Sequence, residues 1–165
     1  MAKIRLARDL QTDSIVDGKG LRCVLWTQGC PHGCIGCHNQ LTHSFSDGML
    51  VETSEVISSM KRYRYHDGIT LSGGEPFMQP LQLLEIAEEA KELKWDIWCY
   101  TGFEYEELLE NHDRRKLLEM IDVLIDGRFE LDRRTLSLPF RGSSNQRVID
   151  VQASLKANRV IELEL

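Results

Sequence analysis

Residues 69–100 read ITLSGGEPFMQPLQLLEIAEEAKELKWDIWCY, and this stretch decides the fold. Its start, 69–72, is a short apolar run with a β-branched residue pair that Gly73-Gly74 ends abruptly, which predicts a buried strand followed by a tight turn. Pro80 suits the first turn of a helix. From there Leu83, Leu84, Ala87, Ala90 and Leu93 recur at helical spacing among Glu and Lys, predicting an amphipathic helix with one core-facing side. A second strand then follows over 95–100. Strand, helix, strand in this order is the signature of parallel βα units.

The same alternation extends in both directions. Upstream, 24–27 reads as a strand leading into a Gly/Pro/Cys segment, and Thr53 or Ser54 is placed to cap a helix over 55–62. Downstream, the pattern predicts helices from Glu104 and over 114–120, then an apolar strand over 123–126. A polar loop over 141–147 precedes a terminal strand expected at 160–165. About four to six βα units fit in this length, whereas a closed eight-unit barrel typically needs about 250 residues. The expected fold is therefore α/β, an incomplete (βα)-barrel or an open parallel sheet, with residues 1–165 as a single domain. In either geometry ligands bind at the carboxyl ends of the strands. The cysteine loop, the Gly-Gly-Glu turn, Thr101-Gly102 and Asp126-Gly127-Arg128 all fall there.

Composition narrows the function classes. The chain has 165 residues, 42% hydrophobic and 28% charged, enough apolar material for a proper core. A formal charge of -6 argues against a general nucleic-acid binder, because phosphate backbones recruit surplus Lys and Arg. No signal-peptide pattern or membrane-length apolar run is present, so a cytoplasmic protein is expected. The five cysteines, three of them within residues 30–37, suit a metal or cluster better than paired disulfides. Cys23 and Cys99 are expected to be core thiols, and His43, His66 and His112 to be solvated.

In Cys30-Pro-His-Gly-Cys34-Ile-Gly-Cys37 the thiolates are close enough for one loop to wrap a single centre. A 4Fe-4S cluster normally takes four cysteine ligands, so three leave one iron open to a substrate. The competing reading is a zinc-binding module in which His32 or His38 completes a Cys3His set. Ser72-Gly73-Gly74-Glu75-Pro76 ends its strand with two residues that let a ligand approach the backbone, and places a carboxylate beside them.

The C-x3-C-x2-C spacing after a first strand resembles the signature of the radical S-adenosylmethionine (SAM) superfamily. The resemblance implies one 4Fe-4S cluster held by Cys30, Cys34 and Cys37, with SAM chelating the open iron through its amino and carboxylate groups. It gives Gly73, Gly74 and Glu75 the methionyl amine of SAM. It leaves Thr101, Asp126 and Arg128 as candidates for the ribose or the carboxylate. Gly36 stands where the superfamily usually has an aromatic residue near adenine.

Three further segments sharpen the resemblance: Asp17-Gly18-Lys19-Gly20-Leu21-Arg22, Cys37-His38-Asn39, and Val123-Leu-Ile-Asp-Gly-Arg-Phe129 with Arg141-Gly-Ser-Ser-Asn-Gln146. Together they look like the activases of anaerobic (class III) ribonucleoside-triphosphate reductases, within the glycyl-radical-enzyme activase group. The resemblance implies a glycyl radical made on the reductase and a flavodoxin- or ferredoxin-type electron donor. Activases of the pyruvate formate-lyase type and small-molecule radical SAM enzymes share the same core motifs. Gly18 and Gly20 are expected to shape a loop near the rim.

Overall fold

The computed structural model describes residues 2–165. In chain order it contains β1 (Lys3–Leu6), β2 (Gln11–Ser14), β3 (Arg22–Thr27), β4 (Met49–Glu52), α1 (Thr53–Lys61), β5 (Gly68–Gly73), α2 (Pro80–Glu92), β6 (Asp96–Tyr100), α3 (Tyr105–Leu109), α4 (His112–Leu118), β7 (Val123–Asp126), β8 (Arg147–Asp150) and α5 (Val151–Ala157). The strands form one mixed sheet in the order β4-β1-β3-β5-β6-β7-β8, with β2 also paired to β3. Only β3, β5, β6 and β7 run parallel. Their three connections pass through α1, α2 and the α3–α4 pair.

Register explains the core. Leu25 pairs with Leu71, Leu71 with Cys99, and Cys99 with Leu124, so one row of apolar side chains crosses all four parallel strands. That face packs on α2 through Leu83, Ile86, Ala87 and Ala90, and on α4 through Leu117 and Leu118. The buried stripe of α2 thus includes Ile86, with Leu84 and Leu93 only half-buried. The opposite face carries Trp98, Val123, Ile125 and Val148, packed with Tyr100 and Phe140.

The sheet departs from an all-parallel one at both edges. β8 returns antiparallel to β7 because an irregular loop joins them, and a parallel return needs a long crossover, usually helical. The terminal strand expected at 160–165 is an extended tail with a single bridge, Ile149 to Glu162. α5 precedes it, opened by the Asp150 carboxylate accepting from Ala153 N and ended by Asn158 in the left-handed conformation. Thr53 begins α1 without capping it; its hydroxyl donates to Glu85 on α2. No helix among the described residues is long and apolar enough to cross a membrane.

Arg22 organises the start of the parallel strands. It is fully buried, yet its guanidinium donates to Thr70 Oγ1, Lys19 O and Ile69 O, each at 2.8 Å, and meets Asp96 Oδ1 at 2.7 Å. Its charge also lies 5.4 Å from the Trp98 ring centroid. Loop 17–21 therefore lies against this face and the starts of β3 and β5, where Leu21 N donates to Asp67, and not at the rim as expected. Replacing Arg22 with Ala should lower unfolding free energy by about 3–5 kcal/mol, because buried acceptors lose their donor. Asp96→Ala, at a half-exposed partner, should cost less than half of that in the same urea titration.

Candidate metal centre

The rim at the carboxyl ends of the parallel strands is knit by backbone hydrogen bonds. Gly74 N donates to Thr27 O at 2.9 Å, Glu75 N to Gly29 O at 2.8 Å, Thr101 N to Ile125 O at 3.0 Å and Gly127 N to Phe103 O at 2.9 Å. Gly74 has to be glycine, since a Cβ there would stand 2.4 Å from Gly29 O. This close approach brings the Gly-Gly turn against the root of the cysteine loop.

Cys30, Cys34 and Cys37 are free, half-buried thiols lining one cleft with Gly73, Gly74, Thr101 and Gly102. Their spacing becomes geometry through a tight turn, with Cys37 N donating to Cys34 O at 3.3 Å and Asn39 N pointing at the Cys37 sulfur at 3.4 Å. Burial pushes the Cys30 thiol up to about 11, with Glu75, Cys34 and Cys37 adding to the rise and the His32 backbone N–H opposing it. The thiolate form at this position therefore needs a bound cation to drive off the proton. Cys23 and Cys99 are buried in the core; desolvation raises Cys23 to about 12 and Cys99 well above the ordinary thiol value.

The donor set of the cleft fits a cluster better than one metal ion. His32 Nε2 is 2.7 Å from Glu75 Oε1, and His38 stacks near Phe129 with centroids 5.6 Å apart, in a separate depression. Among the described residues, no three His, Cys, Asp or Glu side chains converge as ligands of one ion.

The carboxylates named from sequence turn inward. Glu75 is 1% exposed and accepts from four donors: His32 Nε2, Thr101 Oγ1, Gly102 N at 2.7 Å and Phe77 N at 3.0 Å. Thr101 Oγ1 itself accepts from Phe103 N at 3.1 Å. Asp126, also 1% exposed, accepts from Tyr105 N at 2.8 Å and from both Nε and Nη2 of Arg147, at 3.0 and 2.6 Å. Arg147 grips Glu106 as well, and these two carboxylates raise its pKa. The partner of Asp126 is thus Arg147, not Arg128. Arg128 is exposed and lines a polar cleft that adjoins the cysteine cleft at Gly102 and Gly127.

Two further side chains, His43 and Gln146, stand on the cysteine cleft. His43, expected to be solvated, is half-buried and lines the cysteine cleft. Gln146 lines it too, held by Nε2 donating to Gly127 O and by Oε1 accepting from Gly142 N and Ser143 N. Asn145 donates to Arg128 O, while its buried Oδ1 has no hydrogen-bond partner. The Arg141–Gln146 segment was visible as a motif, but its attachment to the β7 rim was not. Gly36 adopts φ +77°, and a Cβ there would meet Leu131 Cδ1 at 2.9 Å, so Leu131 occupies the space beside the loop.

Comparison with known proteins gives the context. A family model described as a 4Fe-4S single cluster domain matches residues 16–149. The anaerobic ribonucleoside-triphosphate reductase-activating protein of Haemophilus influenzae is 40% identical over 141 residues, covering 80% of this chain and 89% of that protein. The proteins of the same name from Escherichia coli and from enterobacteria phage T4 are each 36% identical, over 80% and 81% of this chain and 90% and 86% of their own. Among solved structures, QueE from Escherichia coli superposes with a TM-score of 0.48 at 15% identity, covering 61% of this chain and 52% of that one. After anaerobic reconstitution, Cys23→Ala and Cys99→Ala proteins should keep the parent's iron and sulfide content, measured colorimetrically, because both thiols lie in the core away from the cleft.

Proposed function

The chain belongs to the family of anaerobic ribonucleoside-triphosphate reductase-activating proteins, and from that premise we propose that Cys30, Cys34 and Cys37 hold its 4Fe-4S cluster by three irons and leave the fourth to SAM. Its function is that of a radical SAM activase acting on the reductase. The observation that carries the ligand assignment is the gathering of these three thiols, and no other cysteine, in one cleft against the Gly73-Gly74 turn. When bound and reduced, the cluster would supply the one electron for reductive cleavage of SAM, the chemistry from which a hydrogen-abstracting radical for a glycine Cα of the reductase would arise.

The chain's own residues bind and orient. Gly73 and Gly74 present backbone to the methionyl group, and Glu75 contributes to its amine through negative charge and through the turn it holds, since its oxygens are already filled by protein donors. Thr101 supports that carboxylate from behind. Asp126 fixes Arg147 and the rim after β7, while Arg128 faces the adjoining cleft as the residue for the ribose or carboxylate of SAM. The four parallel strands with their loops on one rim support reading the fold as an incomplete (βα)-barrel of the radical SAM type. A flavodoxin- or ferredoxin-type protein supplies the electron, and the solvent-facing side of the cysteine loop, where Ile35 is 79% exposed, leaves room for it.

The reduced, cluster-loaded protein mixed with SAM and an anaerobic ribonucleoside-triphosphate reductase should yield 5'-deoxyadenosine and a glycyl radical signal in electron paramagnetic resonance. SAM cleavage without any radical on the reductase would refute the target. Cys30→Ala, Cys34→Ala and Cys37→Ala should each abolish cleavage, and turnover with an intact cluster in any of them would refute the ligand set.

A further inference from the structure

Within the cysteine loop, His32 is set apart by its burial. Pro31, Gly33, Ile35 and Gly36 are exposed, whereas the His32 side chain is 3% exposed. Its ring meets Phe103 edge-on at 4.7 Å and lies directly over Gly102, where a Cβ would come within 2.4 Å of it. Nε2 reaches Glu75 Oε1 at 2.7 Å, the same oxygen that accepts from Gly102 N. Phe77 N, Gly102 N and the Thr101 hydroxyl all donate to the Glu75 oxygens, which assigns Glu75 as the acceptor and the hydrogen to Nε2 here as well.

Among the described residues, this is the only hydrogen bond that joins segment 31–36 to a part of the chain outside residues 30–37. The other ties of that segment are packing contacts, the His32 ring against Phe103 and Leu131 beside Gly36. Without His32, the part of the loop between the first and second cysteines is joined to the sheet only by its ends. With it, the loop is fastened to the carboxylate that also holds the Gly-Gly turn through Phe77 N and the end of β6 through Thr101 and Gly102.

We propose that His32 is a positioning residue of the activase: through Glu75 it fixes the cluster loop relative to the Gly73-Gly74 turn, and so sets the cluster in register with SAM. It is a ligand of neither iron nor zinc. This rests on the cluster and SAM reading above. The role resembles that of outer partners of metal ligands, whose loss typically lowers affinity or activity by about 10–100-fold while the ligands themselves remain.

The test uses the full chain, reconstituted anaerobically, as His32→Ala, His32→Gln and Gly102→Ala. Gln can donate to Glu75 from the same loop position; Ala at 102 keeps His32 but pushes its ring off the carboxylate. His32→Ala and Gly102→Ala should keep parental iron and sulfide. Both should raise KM for SAM about 10–100-fold and lose the SAM-induced change in the electron paramagnetic resonance spectrum of the reduced cluster at SAM levels that saturate the parent. His32→Gln should recover most of that spectral response. A parental KM and spectral response in His32→Ala would overturn the proposal. So would loss of iron in His32→Gln, which would mark the residue as a ligand. If His32→Ala does not fold, Gly102→Ala and His32→Gln decide the matter by the same two readouts. A parent protein that binds iron but shows no spectral response to SAM would instead defeat the underlying SAM reading.

Discussion

The buried carboxylate of Glu75 is the constraint on which the rim depends. An ionised carboxylate withdrawn from water is tolerated only when its lone pairs are filled. Here the donors come from residue 32 in the cysteine loop, residue 77 in the turn after β5, and residues 101–102 at the end of β6. None of these segments can leave without exposing part of the carboxylate to an apolar surrounding. The rim therefore assembles as a unit, and the parallel register of β3, β5 and β6, which sets those segments side by side, becomes a requirement of the site as well as of the core.

Asp126 repeats the arrangement one strand further. Its two oxygens are taken by Arg147 and by Tyr105 N, and Arg147 in turn holds Glu106 at the surface. Two acidic residues that a linear reading treats as ligand groups thus also hold together the ends of β5 and β7. The adjoining polar cleft is lined by charged side chains, Arg128, Arg133, Glu104 and Glu107 among them, and the cysteine cleft by thiols, glycine backbone, the half-buried His43, Gln146 and aromatic rings. Such a lining suits a cofactor that brings its own charged groups and needs to be placed more than activated.

The parallel strands were legible because burial on both faces leaves runs such as Val-Leu-Ile in β7 with no polar alternation, and α2 because its buried positions keep the helical period. β1, β2 and β4 were not. Each has four residues of mixed composition, and pairing with β3 or with one another, not propensity, makes them strands. Segment 160–165 failed in the opposite sense: its alternation is strand-like, but only Glu162 bridges the edge of β8. The gathering of Cys30, Cys34 and Cys37 in one cleft was readable since they are neighbours in sequence. Apart from Phe77 N, the partners of Glu75 and Asp126 were not, since those donors lie 21–43 positions away and nothing in a local motif marks them.

Gly36 shows how the β7–β8 connection completes what the cysteine loop lacks. With a positive φ and no side chain at that position, the loop lets Leu131 pack where a larger residue would stand. The same connection contributes Phe129 and Gln146 to the cleft and Asn145 to its polar neighbour. One wall of the site is therefore built from an irregular segment, tied down by Gln146 on Gly127 O and Asn145 on Arg128 O, instead of from a further βα unit. Ile35, Leu41 and Leu136 stand exposed on the cysteine loop, the short turn after it and the β7–β8 connection. Exposed apolar side chains beside the cysteine cleft match a substrate that arrives as part of another folded protein, where a small molecule would call for enclosure.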